Sequence, residues 1–222
     1  MALSTFIRRA VGLIVLGLGL VALPALAQGL QPVDFTNVAF APTGDLTSVP
    51  IGEVDFCRRN PDACRPHVHV VAAVHLTPAN WRRLLDVNSY YNTTIVPETD
   101  QQLYHVEEFW TYPRGFGDCE DIALAKQRRL IEQGWPKSAL LMTVVKQADG
   151  EGHAVLMVRT DRGDLILDNQ DSVVRDWKDS PYRFLKRQSQ QSPAQWVAIS
   201  DTRPNVIVAT TGARIETTST TR

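Results

Sequence analysis

Gly115-Phe116-Gly117-Asp118-Cys119-Glu120-Asp121 stands at the head of an amphipathic run that reaches Gln133 and is stopped by Gly134 and Pro136. The spacing predicts a helix from about Cys119 to Gln133, with Asp118 as its cap and Asp121 at the third helical position. A thiol placed there meets unpaired backbone N–H groups and the positive end of the helix dipole, both of which favour the thiolate. A thiolate is a nucleophile, and the same N–H groups suit the oxyanion of an acyl intermediate. A small cysteine buried at a helix start is the plainer reading. The flanking glycines and the three carboxylates count against it.

The chain after this helix reads as strands. Ala139 to Lys146 is apolar, His153 to Thr160 reads HAVLMVRT, and Asp164 to Asp168 reads DLILD, with Asp161-Arg162-Gly163 as a hairpin turn between the last two. Trp196 to Ser200 adds a further candidate. The hairpin brings residues around 168 to 171 opposite His153, so Asp168 is placed to orient the imidazole and stabilise its cation. Asn169 takes that role if the register slips by one. Cys119, His153 and Asp168 thus converge from three separate signals on one site.

Upstream, Thr77-Pro78 opens a helix over TPANWRRLLDVN, with threonine as cap and proline in the first turn. The segment from Asn88 to Pro113 mixes aromatic and polar residues without a clear period. His67, His69 and His75 lie in PHVHVVAAVHL. No third ligand accompanies His67-x-His69, which favours packing in a strand or helix over a metal pair. Helices first and strands later indicate an α+β domain over residues 51–200. Residues 28–50 read as an irregular lead-in, and residues 201–222 as a mobile, Thr-rich tail.

The N-terminus reads as an address. Arg8 and Arg9 precede an uncharged run from Ala10 to Leu23, then Pro24 and Ala25-Leu26-Ala27. This is the pattern of a secretory signal over residues 1–27, cleaved before Gln28; the other reading is an uncleaved anchor. Export to an oxidising compartment makes a disulfide between Cys57 and Cys64 feasible, around the Asn60-Pro61 turn signal, with two free buried thiols as the alternative. Cys119 is then the odd cysteine. With 222 residues, 44% hydrophobic and 21% charged, the composition is that of a globular chain. A formal net charge of −1 gives no basic footprint for nucleic acid.

GDCED at 117–121, GWP at 134–136, GHAVL at 152–156 and LDN at 167–169, with LTPANWRRLLDVN at 76–88, are together specific. Over residues 56–196 the chain resembles the bacterial transglutaminase-like cysteine proteinases, the family of LapG-type periplasmic adhesin proteases. The resemblance implies a papain/transglutaminase-like fold, in which a helix carrying Cys119 packs on an antiparallel sheet carrying His153 and Asp168. It places the catalytic triad on those three residues. It implies hydrolysis of one peptide bond near the N-terminus of a large surface adhesin, at a small-residue site containing two alanines. Cleavage releases the adhesin and disperses the biofilm. The implied inhibitor is the periplasmic domain of an inner-membrane cyclic di-GMP receptor.

The resemblance also implies calcium dependence, and elementary electrostatics bears on it. Asp118, Glu120 and Asp121 set three negative side chains around one thiol and would raise its pKa without compensation. They are hard oxygen ligands, and one Ca²⁺ would neutralise them in a structural and electrostatic role. The alternative is that Asp118 and Asp121 cap the helix and Glu120 faces water. Trp81 lies broadly where transglutaminases keep a tryptophan for the oxyanion, but core packing is the better reading of it. Two rival functions remain: acyl transfer to an amine, as in a transglutaminase or amidase, and a catalytically silent periplasmic binding module.

Overall fold

The computed structural model describes residues 38–203. The expected signal over residues 1–27, residues 28–37 of the lead-in and residues 204–222 of the tail lie outside them. In chain order the elements are β1 (Thr43–Thr47), α1 (Ile51–Arg59), α2 (Pro78–Thr94), β2 (Val96–Pro97), α3 (Asp100–Leu103), β3 (Phe116–Gly117), α4 (Cys119–Glu132), β4 (Leu140–Lys146), β5 (Gly152–Thr160), β6 (Gly163–Leu167), β7 (Arg175–Asp176), β8 (Arg183–Gln188) and β9 (Trp196–Ile199). No helix among the described residues is long and apolar enough to cross a membrane.

Seven strands form one antiparallel sheet in the order β1-β9-β8-β4-β5-β6-β7. Its central strands are covered on both faces, which is why they read as near-continuous apolar runs. Leu140, Met142, Leu156, Val158, Leu165 and Leu167 turn to one side, where they join Leu84 and Val87 of α2 and Ala123, Leu124 and Leu130 of α4. Leu141, Val145, Val155, Met157 and Ile166 alternate to the other side, against Trp177, Phe184 and Ile199. Burial on this scale is the main stabilising term, at roughly 1.5–3 kcal/mol for each large apolar side chain.

The antiparallel sheet with its packed helices bears out the α+β expectation. Thr77 caps α2 through Oγ1, which accepts from the Asn80 N–H, and the helix runs six residues beyond Asn88 to Thr94. The stretch read as an irregular lead-in, by contrast, contains β1. Thr43 pairs with Ile199 and Thr47 with Trp196, on a sheet edge where side chains stay exposed and no apolar alternation announces a strand. The expected tail also starts late. Asp201 is buried, its Oδ2 accepting from the Phe184 N–H, and Arg203 donates to the carbonyls of Trp177, Lys178 and Tyr182.

Residues 65–76 form an irregular strap instead of a packed strand or helix. It is tied down by backbone bonds from His67 to Gln191 and from Val74 to Arg159. His69 and His75 are exposed, and His75 pairs with Asp161. Cys57 and Cys64 are joined by a disulfide that links α1 to the turn after it. Gly52 sits so close to the Trp110 indole that any Cβ there would collide with it.

Candidate active site

Cys119 opens α4, as its sequence predicts, and its side chain is only partly exposed. The thiol donates to Glu120 Oε2 at 3.0 Å. On the sheet side, the backbone N–H of Ala154 points at the sulfur, so the thiol rests against the residue that follows His153. Burial, then the charge and hydrogen bond of Glu120, and further off the charge of Asp118, push this thiol well above its ordinary pKa, with the Ala154 N–H pulling the other way. The helix dipole does not dominate here. Burial does, with the carboxylates adding to it.

His153 and Asp168 form a buried pair, with Nε2 2.9 Å from Oδ1 and side chains 1% and 4% exposed. The β5–β6 hairpin sets this up. Leu156 pairs with Leu167, and continuing that register places residue 170 across from His153 and Asp168 diagonally within reach. Asp168 Oδ1 also accepts from the Gln170 N–H at 2.9 Å, and Oδ2 accepts from the Tyr182 hydroxyl at 2.5 Å. The Tyr182 ring stands edge-on to the imidazole, with centroids 5.3 Å apart. Burial opposes charge on Asp168, yet the bonds from His153, Tyr182 and Gln170 hold its carboxyl below the usual range. With Nε2 engaged, Nδ1 is the nitrogen left to exchange protons, and Gln170 Nε2 lies 3.5 Å from it. Asn169, the substitute orienter, does not take the role; its Oδ1 is buried with no partner.

Beside the thiol lies a knot of acids. Oxygens of Asp100, Asp118 and Glu120 lie within 4.8 Å of one another. Asp100 Oδ1 and Asp118 Oδ1 are buried without a hydrogen-bond partner. Asp118 does not cap α4 with its side chain, contrary to its sequence reading. Asp121, fully buried, accepts from the Thr111 N–H at 2.6 Å through Oδ1 and leaves Oδ2 unpartnered. Burial raises all four acids, and repulsion from neighbouring carboxylates adds to it for Asp118, Glu120 and Asp121, the last raised to about 8. Orphaned acceptors on hard oxygen donors are the arrangement a divalent cation satisfies. Asp100 escaped the sequence reading because it lies in the unperiodic segment. Its local signal is Thr99, which forms a capping box with Gln102 and starts α3 there.

The structure does not bring Trp81 to this site. It lies in the first turn of α2, half-buried against the core. Asn92, the residue of that helix that reaches Asp168, is eleven positions on, or about 16 Å along the axis.

A family model, that of the bacterial transglutaminase-like cysteine proteinases, matches residues 43–204. The chain belongs to this family. The enzyme is accordingly a cysteine protease of α+β, transglutaminase-like architecture. Among solved structures, this transglutaminase-like proteinase is similar to calcium-bound LapG of Legionella pneumophila, at 24% identity over 60% of this chain and 76% of that one, with a TM-score of 0.47. EGTA-treated LapG of the same organism gives 26% identity over 58% and 70%, with a TM-score of 0.47. No curated protein matches the chain.

Proposed function

We propose that this proteinase is an exported, calcium-dependent endopeptidase that uses Cys119, His153 and Asp168 to cut near the N-terminus of a large surface adhesin, releasing it and dispersing the biofilm. The observation that carries the reading is the buried His153–Asp168 pair, set beside a thiol that abuts the backbone of Ala154. The Cys119 sulfur attacks the scissile carbonyl after its proton passes to His153. The Cys119 backbone N–H, free at the helix start, donates to the oxyanion. His153 protonates the leaving amine, and water, deprotonated by His153, then hydrolyses the thioester. Asp168 keeps the imidazole oriented and balances its charge.

Asp100, Asp118 and Glu120 would hold Ca²⁺, with Asp121 alongside. When bound, the ion supplies positive charge that neutralises the acids around the thiol. The expected compartment is the periplasm, after loss of residues 1–27. The expected inhibitor is the periplasmic domain of an inner-membrane cyclic di-GMP receptor. All three expectations follow from the family resemblance.

The test is incubation of the mature protein with the N-terminal region of a candidate adhesin, in calcium, in chelator, and with Cys119→Ala. One calcium-dependent cut, lost in the variant, is the expected result. Cleavage by Cys119→Ala overturns the triad. Incorporation of an added amine in place of hydrolysis makes the enzyme a transferase. Failure of Cys119 to react with a thiol-directed electrophile in calcium makes the chain a silent binding module.

A further inference from the structure

Lys126 lies two turns along α4 from Cys119 and is only 1% exposed. A lysine this deep ordinarily has a carboxylate partner. Here Nζ donates instead to the neutral Oδ1 of Asn88, at 2.8 Å. Asn88, itself fully buried, uses its Nδ2 on the carbonyls of Asp171 and Ser172, each at 3.3 Å. One turn further along α2, Asn92 donates to the carbonyl of Asp168 at 2.7 Å. A buried ammonium is therefore wired, through one amide, to the turn that presents Asp168.

We propose that Lys126 is a positioning residue for Asp168: its buried charge favours the Asp168 carboxylate, and its bond to Asn88 fixes the turn from Asp168 to Ser172. The proposal rests on the reading of Asp168 as the acid that orients His153. The titratable groups on the neighbouring elements are Asp168 and Asp171 in the turn, His153 on β5 and Tyr182 beyond Asp168. Asp171 is spoken for by Arg175, at 2.5 Å. α2 contributes the amides of Asn88 and Asn92. Burial lowers the Lys126 pKa to about 7, and Asp168 is the acid that opposes this. Seen from Asp168, burial opposes the charge, and the bonds of His153, Tyr182 and Gln170 are the main causes that favour it. Burying a lysine without a direct carboxylate contact is costly, and the attraction between Lys126 and Asp168 offsets part of that cost.

Two variants separate field from scaffold. Lys126→Met removes the charge and keeps the length of the side chain. Asn88→Asp keeps an acceptor for Lys126 but neutralises it and removes the Nδ2 donors to the turn. The Asp168 carboxyl is followed by carbon-13 NMR titration in each full-length mature variant, and cleavage of the adhesin fragment is measured in parallel. In both variants the Asp168 midpoint should move up by about one pH unit, and kcat should fall at least about tenfold with KM within about twofold. An unmoved Asp168 titration in a folded variant overturns the proposal, even where cleavage is lost, because the lysine is then only scaffold. If Lys126→Met does not fold, Asn88→Asp decides on the same terms. Cleavage by Cys119→Ala would instead sink the triad reading, and the titration would still report on Lys126.

Discussion

The Tyr182 hydroxyl donates to Asp168 Oδ2 at 2.5 Å while His153 Nε2 lies 2.9 Å from Oδ1, so the two oxygens of one carboxylate serve two different rings. The rings also touch each other edge to face. Tyr182, Asp168 and His153 therefore constrain one another, and loss of the tyrosine hydroxyl leaves Asp168 with one fewer bond to its charged form. In Tyr182→Phe, kcat should fall roughly tenfold with KM little changed, and the acid limb of the pH profile should move to higher pH, because a carboxyl held low by hydrogen bonds rises when one is removed. Steady-state kinetics between pH 4 and 8 check this. An unmoved acid limb would show the hydroxyl to be irrelevant to Asp168.

Asp168→Asn keeps the side-chain shape and loses the charge. The expected loss in kcat is roughly 10³–10⁴-fold, the size seen when an orienting acid of a triad is neutralised. Thermal unfolding should move little by comparison, since the amide oxygen can still accept from the Gln170 N–H and the amide NH2 can donate to the Tyr182 hydroxyl oxygen. A variant with near-native turnover would assign the orienting role elsewhere.

The reactivity of Cys119 should track neutralisation of its acids. Glu120 and Asp118 raise the thiol pKa, so removing their charge lowers it and enlarges the thiolate fraction at pH 7. Calcium should accelerate alkylation by iodoacetamide about tenfold or more in the wild type. The paired substitution Asp118→Asn with Glu120→Gln should be fast without calcium and indifferent to it. Equal rates for the wild type in calcium and in chelator would detach the acidic knot from the thiol.

Glu53 sits far from this chemistry and governs stability. It is 1% exposed on α1, bonded to Gln188 Nε2 at 2.6 Å, and burial raises its pKa to about 8. Its folded pKa exceeds its unfolded one, so its contribution is fully present below about pH 4.5 and is lost as pH rises through about 8. Unfolding free energies from urea melts between pH 5 and 9 should therefore decline by an amount on the order of a few kcal/mol, and Glu53→Gln should flatten that decline. A wild-type midpoint that rises across the same range would show that Glu53 is not buried as an acid.

The disulfide between Cys57 and Cys64 closes a short loop, with a sequence separation of 7. Replacing both cysteines with serine should cost about 2 kcal/mol and make the midpoint insensitive to reductant. A wild-type protein that is itself insensitive to reductant would show that the bridge does not form.

The legible parts of this protein were those with a strong local signal. Gly134 and Pro136 ended α4, Thr77 and Pro78 started α2, and the turn at Asp161 and Arg162 fixed a register that carried Asp168 to His153. What escaped depends on contacts distant in sequence. β1 is an edge strand defined by its pairing with β9, with almost no buried face of its own. Tyr182 and Lys126 look like an ordinary aromatic and an ordinary helix cation until the fold sets them beside Asp168. Asp118 looked like a cap, yet its side chain makes no capping bond and belongs to the acidic knot. Local spacing alone cannot tell these two uses of the residue apart.

β1 and β9 lie side by side at one border of the sheet, yet the described chain reaches past both: Ala39 accepts from the Asp164 N–H on β6, and Arg203 bonds the carbonyls of Trp177, Lys178 and Tyr182. Cutting the domain back to residues 43–199 would strip these stays from β6 and β8, so fusion partners and surface tethers belong outside residues 38 and 203.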